Sequence, residues 1–183
     1  MADLTSLPAV KVYLGIPLNQ TEDDALLQSL ITGVSVGIQN WIGRDLSVKQ
    51  YTDKIDGNGK NRLMFPAWPV TTVAAVVVNG RNIPAASSFE GYGYRFDETM
   101  LILNGDCFHK GSRNVELTYT AGYTTMPADI AQVCSKLVGA KYKERDWLGY
   151  RSKSLAGETV VFDDVELSES VRGVLWDYKK VFS

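Results

Sequence analysis

A thiol and an imidazole, the scarcest reactive side chains of the sequence, lie two positions apart. Cys107 precedes His109, the single histidine, while the second cysteine, Cys134, stands far from both. Such a pair can bind a transition metal or act as a nucleophile with its base. No third ligand or orienting carboxylate stands out beside them, and no CxxC pair occurs. The sequence therefore predicts no metal and no cofactor. An enzyme that uses Cys107 and His109 remains a hypothesis, ranked below the structural and nucleic-acid-binding functions considered below.

Acidic pairs and a glycine-rich turn are the other candidates for chemistry. Asp97 with Glu98 could supply acid–base catalysis, but adjacent side chains usually point in different directions, and a solvated turn accounts for the pair. Residues 56–59, Asp-Gly-Asn-Gly, lack the glutamate of a calcium loop and the third glycine of a dinucleotide site, so they predict a hairpin turn. No GxSxG, HExxH or Walker-type pattern occurs. We expect a protein without catalytic activity and without catalytic residues.

One basic cluster, at residues 141–153, could contact nucleic acid. Its cations alternate with aromatic side chains, an arrangement suited to phosphates and stacked bases. The alternatives are a solvated helix end whose aromatic residues pack on the core, and a surface for an acidic neighbour. The whole chain has 19 basic and 21 acidic side chains, so no global positive field would hold DNA nonspecifically. The cluster comprises Lys141, Tyr142, Lys143, Arg145, Trp147, Tyr150, Arg151 and Lys153.

The composition is that of an ordinary globular protein. The 183 residues are 45% hydrophobic and 22% charged, which is enough apolar surface for a buried core. The N-terminal stretch has neither a basic region nor a long apolar run, and no segment of about 18 apolar residues occurs. We expect synthesis in a reducing cytoplasm and no membrane partner.

Helical spacing of apolar residues begins the chain. It predicts a short helix within residues 3–15 and a long amphipathic helix over 22–42, with Thr21 as N-cap. Gly33 and Gly37 interrupt the long helix and share one face because they are four residues apart. A second helix or another subunit could approach closely there.

A period of two then replaces the helical pattern. It predicts an antiparallel sheet over residues 46–121, beginning with a strand near 48–55 and a return strand at 62–65 across the glycine-rich turn. Helical spacing resumes after Pro127 and runs to about Asp146.

The last part of the chain is predicted as a loop over 147–157, a strand-like arm over 158–162 and a helix capped by Ser168. The fold class is therefore α+β: a bundle of about four helices with an antiparallel β section inserted between the second and third. We expect one domain over 1–183. Its parts are the N-terminal helices (1–45), the β insertion (46–122), the third helix (123–147) and the loop, arm and C-terminal helix (148–183).

This order of elements resembles the head–tail connector (adaptor) family of tailed phages and prophages over almost the whole chain. The segments that carry the resemblance are the TEDDALLQSLI helix with its WIGR ending at 41–44, the YTAGY segment at 119–123 followed by Met126-Pro127, and the KER helix end at 143–145 leading to 152–162. None is a catalytic signature, and their order is more persuasive than any one alone.

The resemblance implies a structural head-completion protein of the virion, located at the head–tail junction. Such a subunit forms a homo-oligomeric, commonly dodecameric, ring beneath the portal protein, extends the channel through which packaged DNA passes without sequence-specific binding, and meets a tail or stopper protein. Subunits joined head to tail need two different complementary faces. The alternative function is a nucleic-acid-binding accessory protein that acts through residues 141–153.

The predicted subunit or portal contacts lie on the glycine face, in the loop and arm over 147–162, and in the last helix. The resemblance implies that the C-terminal part reaches toward the portal, while for Trp176 and Tyr178 burial in the chain's own core is an equal alternative. The candidate interface residues are Gly33, Gly37, Arg151, Lys153, Val161, Phe162, Trp176, Tyr178, Lys179 and Lys180.

Overall fold

The computed structural model describes residues 2–145 and 168–180, together with the backbone of two strands at 152–155 and 158–161. These ranges contain four helices and antiparallel sheets, so the predicted α+β class is confirmed. The chain divides into two compact units, a helical unit (Met1–Leu46 with Thr125–Ser183) and a sheet unit (Ser47–Thr124). The helices are α1 (Leu7–Leu14), α2 (Asp24–Ile42), α3 (Ala128–Glu144) and α4 (Glu169–Trp176).

The start of α2 differs from the prediction. The helix begins at Asp24, its N-cap position is Asp23, and the side chain of Asp23 makes no capping bond to the helix. The carboxylate instead accepts hydrogen bonds from Tyr142 and Arg145 at the end of α3. The prediction of Thr21 as N-cap is therefore wrong, because a tertiary ion pair displaces the local cap.

The core of the helical unit is the apolar face of α2 packed on α3. Leu27, Ile31 and Ile38 of α2 are buried, as are Ile130 and Val138 of α3. These residues follow the spacing of three and four that predicted both helices. The opposite face of α2 is consequently left for solvent or for another chain.

A buried lysine fixes the connection between α1 and α2. Lys11 is 3% exposed and forms an ion pair with Asp24. Its ammonium also donates to the carbonyl oxygens of Leu18, at 3.3 Å, and Gln20, at 2.6 Å. A buried charge is tolerated only when it is paired and hydrogen-bonded in this way.

The sheet unit contains two sheets. Its strands are β1 (Lys49–Gly57), β2 (Arg62–Met64), β3 (Val70–Val78), β4 (Arg81–Ile83), β5 (Gly93–Phe96), β6 (Met100–Asn104) and β7 (Gly111–Ala121). The first sheet has the strand order β1-β7-β3-β4 and the second has the order β2-β6-β5, and both are antiparallel.

The predicted hairpin between β1 and β2 is wrong. β1 pairs with β7, in a register that places Tyr51 opposite Tyr119, whereas β2 pairs with β6 in the other sheet. The glycine-rich segment is bonded to the loop between β6 and β7: the N–H of Gly59 donates to Phe108 O at 2.7 Å, and Phe108 N–H donates to Lys60 O at 2.8 Å. Long-range pairing with the 11-residue β7 therefore prevails over the local turn.

Tyr119 is the polar centre of the sheet unit's core. Its ring is fully buried and lies 4.9 Å from that of Phe65 and 5.6 Å from that of Tyr51, between centroids. Its hydroxyl donates to Asp53 at 2.7 Å and accepts from Ala67 N–H at 3.1 Å. Burial, with the nearby Asp53 carboxylate, raises the pKa of the phenol well above its usual range.

The C-terminal arm contains two paired strands, β8 (Ser152–Leu155) and β9 (Glu158–Val161), with Ser152 opposite Val161. The predicted strand at 158–162 corresponds to β9. Residues 152–155, which we predicted as loop, are its partner strand, because an isolated strand leaves its backbone groups unpaired. None of the helices that the structure describes combines the length and the apolar content needed to cross a membrane.

Candidate assembly surface

A groove of about 760 Å³ opens along the exposed side of α2. Gly33, Gly37 and Trp41 of α2 line it, and neighbouring helices contribute Leu137 from α3 and Arg172 from α4. The glycine face that the sequence predicts is therefore one wall of a groove formed by three helices. We call it the glycine groove.

Open space adjoins both glycines. A Cβ atom built on Gly33 or Gly37 would meet nothing within 4 Å. The isolated chain thus gains no packing from having glycine at these positions, although each glycine costs the helix about 1 kcal/mol relative to alanine. Glycine allows another backbone to approach α2 closely, which is the property that a docked chain would use.

Two cations belong to the lining of the glycine groove. Lys141 of α3 and Arg172 of α4 both contribute to the groove. Within the part of the chain that the structure describes, neither forms an ion pair. The groove therefore suits a partner segment that combines apolar side chains with acidic ones.

An aromatic pair lies where α4 ends. The rings of Trp41 and Trp176 meet edge to face with centroids 6.3 Å apart, and the ammonium of Lys179 lies 4.7 Å from each ring centroid. Trp176 remains 64% exposed. Trp176 was predicted to be buried either in the chain's own core or in another subunit. This exposure excludes burial in the chain's own core, so the indole is available to a partner. We call Trp41, Trp176 and Lys179 the tryptophan platform.

Tyr178 and Lys180 tie the end of the helical unit to its own neighbours. The Tyr178 hydroxyl donates to the Asp129 carboxylate, and its carbonyl accepts from Arg44 Nε at 2.8 Å. The N–H of Lys180 donates to Ile42 O at 2.9 Å. These bonds position the tryptophan platform beside the C-terminus of α2.

The structure separates the members of the basic cluster that it describes. The guanidinium of Arg145 pairs with Asp23 at 2.9 Å and lies 4.0 Å from the centroid of the Tyr142 ring. Its hydrogen bonds are the main reason why the pKa of Asp23 is lowered, and the carboxylate in turn raises the pKa of Tyr142. Lys141 lines the glycine groove instead. Arg145 is thus largely neutralised within its own chain.

Four candidate contacts in the loop and arm stay predictions. Arg151 and Phe162 lie outside the described residues. Lys153 and Val161 belong to the paired strands β8 and β9, whose backbone alone is described.

The structure adds a carboxylate to the cysteine–histidine pair. Cys107 Sγ lies 3.5 Å from Nδ1 of His109, and Oδ1 of Asp106 lies 3.4 Å from Nε2 of the same ring. The expectation that no carboxylate accompanies the pair is therefore wrong. Asp106 immediately precedes Cys107, so adjacency in the sequence was the signal that could have identified it.

The comparisons with known proteins concern the whole chain. A sequence model of the family described as "Head completion protein" matches residues 3–181. The chain belongs to the head completion protein family. The predicted resemblance to phage head–tail connectors is thereby confirmed, and with it a structural connector role in a phage-type particle. Among curated proteins, none matches the chain significantly.

Three solved structures with a similar fold come from gene transfer agent particles. A chain in the neck of an empty particle, computed with C6 symmetry, is 18% identical with a TM-score of 0.57, and the alignment covers 98% of this chain and 91% of that one. A chain in the virion of the native particle is 16% identical with a TM-score of 0.57, covering 100% and 96%. A chain in the native neck, computed with C12 symmetry, is 16% identical with a TM-score of 0.56 and the same coverage. At these identities the likeness concerns the fold.

Proposed function

We propose that the chain is made in the host cytoplasm and assembles into a ring at the head–tail junction of a phage-type particle. The ring lies beneath the portal, extends the DNA channel and receives the tail or a stopper protein. Family membership over residues 3–181 is the observation that carries the proposal. A similar chain in a neck computed with C12 symmetry supports a dodecamer. The function resides in surfaces and involves no catalysis.

The glycine groove is one half of the contact between neighbouring subunits in this proposal. A ring requires a heterologous interface, in which the groove of one subunit receives a different surface of the next. The exposed α2 backbone at Gly33 and Gly37 allows close approach, and the apolar lining supplies the binding energy. Lys141 and Arg172 set the register by pairing with acidic residues of the neighbour.

The tryptophan platform is the proposed contact with the portal. An exposed tryptophan beside a lysine offers a large, rigid apolar surface with a charge at its rim. Tryptophan is among the residues that contribute most of the binding energy at protein–protein interfaces. Trp176 is 64% exposed, so its burial by a partner removes most of the ring from water. The arm formed by β8 and β9 precedes α4, which carries Trp176, and belongs to the same proposed surface.

The test compares polar side chains placed inside and outside the glycine groove. Gly33→Gln with Gly37→Gln places two amide side chains in the groove without a clash at Cβ, because apart from adjoining residues and the nearby backbone of α2 nothing lies within 4 Å of either new Cβ. Thr32→Gln with Val36→Gln is the matched control, since both residues are exposed on the same helix and do not line the groove. Each protein is mixed with the portal protein, and the complex mass is measured by native mass spectrometry and sedimentation.

We expect the wild-type chain and the control to form a closed ring on the portal, and the groove variant to remain folded by circular dichroism without forming a ring. A wild-type chain that stays monomeric and never binds the portal contradicts the proposed function. A groove variant that assembles like the control contradicts the assignment of the interface.

A further inference from the structure

A second group of side chains, in the loop between β6 and β7, brings three kinds of metal ligand together. Asp106, Cys107 and His109 offer a carboxylate oxygen, a thiol sulfur and an imidazole nitrogen, all within 4.8 Å of one another. The Nε2 atom of His109 lies 3.4 Å from Oδ1 of Asp106 and 4.0 Å from Sγ of Cys107. The ring thus faces both other donors.

These spacings approach those of a tetrahedral zinc site. Bond lengths of about 2.3 Å to sulfur and about 2.0–2.1 Å to nitrogen and oxygen imply ligand atoms about 3.3–3.6 Å apart at tetrahedral angles. The observed nitrogen–oxygen distance falls in that range, and the sulfur–nitrogen distance exceeds it by less than half an ångström. The third pair, the carboxylate oxygen and the sulfur, lies within 4.8 Å, so the side chains must move closer together when an ion binds.

The backbone that carries the three side chains is fixed on both sides. Phe108, between the two softer ligands, is fully buried, and both its N–H and its carbonyl are bonded to the segment at Gly59 and Lys60. The carbonyl of His109 accepts from Asn114 Nδ2 at 2.8 Å. Because the loop is held before any ion arrives, little conformational entropy remains to be lost on binding.

Glycine at position 57 allows this packing. A Cβ there would lie 1.9 Å from the carbonyl oxygen of His109, which no side chain tolerates. The end of β1 therefore contacts the backbone of the loop directly.

Asp106 is held in place by its own neighbours. Its Oδ1 accepts from the N–H of Cys107 at 2.8 Å, and its Oδ2 accepts from the Tyr92 hydroxyl at 3.5 Å. Ligating carboxylates in metal sites are commonly hydrogen-bonded in this way. The side chain of His109 is 58% exposed, so an ion has access from solvent and a water molecule can complete the coordination.

We propose that Asp106, Cys107 and His109 bind one divalent transition-metal ion of the zinc type per chain, with an open fourth position. Thiolate and imidazole ligands select such ions over magnesium and calcium. Binding displaces the thiol proton, because the thiolate is the form of cysteine that binds a metal ion. The proposal is independent of ring assembly.

Cobalt(II) is the probe, because a thiolate bound to it gives a charge-transfer absorption that oxygen and nitrogen ligands do not. The full chain, kept reduced, is titrated with cobalt and then with zinc. We expect one equivalent of cobalt with a thiolate band, and displacement of that band by zinc. Cys107→Ser removes the band, and His109→Gln weakens binding by at least about tenfold, the size of effect that loss of a supporting group alone can have.

Cys134→Ala is the matched control, because Cys134 is fully buried and burial raises the pKa of its thiol to about 11. We expect the control to keep the band and the stoichiometry. Asp106→Asn keeps an acceptor for the N–H of Cys107 and so tests the carboxylate without removing that bond. Absence of a thiolate band in the wild type, or binding that Cys107→Ser leaves unchanged, overturns the proposal.

Discussion

Replacing the two groove glycines by alanine should stabilise the helical unit. Gly33 and Gly37 lie within α2, where each change from glycine to alanine is worth about 1 kcal/mol. No contact within 4 Å opposes either new methyl group, so no packing penalty reduces the gain. The double variant should therefore gain about 2 kcal/mol in free energy of unfolding, because two methyl groups that touch nothing contribute additively.

Urea unfolding followed by helical circular dichroism measures this gain. With a denaturant slope of about 2 kcal/mol per M, the midpoint of the helical unit's transition moves up by about 1 M. Gly139→Ala is the control, because its Cβ would lie 3.1 Å from the ring of Tyr13 and 3.2 Å from Leu14. There the helix-propensity gain is opposed by crowding in a buried site, so we expect little or no stabilisation.

The outcome tests why glycine occupies the groove. A double alanine variant that is no more stable than the wild type refutes the reading that both positions are open and helical. If it is more stable and joins the portal-bound ring less well, the glycines serve a partner at the expense of the isolated fold. Unchanged assembly would mean that no neighbouring backbone comes within a methyl group's reach of α2.

Two further predictions concern polar contacts, one in the sheet unit and one in the helical unit. Tyr119→Phe leaves the Asp53 carboxylate and the Ala67 N–H without the phenol that joins them, so we expect a loss of about 1–3 kcal/mol in the sheet unit, measured by urea unfolding; an unchanged midpoint contradicts it. Asp23→Asn removes a carboxylate whose pKa is lowered chiefly by hydrogen bonds from Arg145. A lowered pKa in the folded state means that the charged carboxylate stabilises the fold. This stabilisation is present above the ordinary Asp pKa of about 3.9 and is lost as the pH falls through the lower folded-state pKa. The difference in thermal midpoint between wild type and Asp23→Asn should therefore shrink on acidification, and a difference that stays constant to about pH 2 contradicts this origin.

Apolar periodicity predicted the helices because the same residues form the core. The long helix was placed at 22–42 and found at Asp24–Ile42, and the third was predicted to end near 146 and found to end at Glu144. The end of a helix depends on the hydrogen-bond partners of its terminal residues. At Asp23 the partner is Arg145, which is close in space but far along the chain. No local pattern could have revealed that bond.

Strand pairing was the least predictable part of the fold. The alternation of β1 is visible in the sequence, yet its partner β7 lies about sixty residues away, and the turn signal at 56–59 suggested a nearer one. The pairing of β1 is decided by the row of buried side chains on β7, which includes Leu117 and Tyr119. The three-residue strand β2 cannot contribute as many buried side chains. Turn residues show where a strand ends, and they leave open which strand it pairs with.

The two candidate sites differ in how much of each could be predicted. A spacing of four places Gly33 and Gly37 on one helical face whatever the tertiary structure, so that half of the groove followed from the sequence. In an extended segment, a buried Phe108 likewise directs Cys107 and His109 to the same outer side. Asp106 would point away from them in such a segment, and it joins them because its carboxylate turns back onto the N–H of Cys107. Adjacency to Cys107 thus made Asp106 a candidate, whereas its approach to the imidazole of His109 depends on this turn and is visible only in the structure.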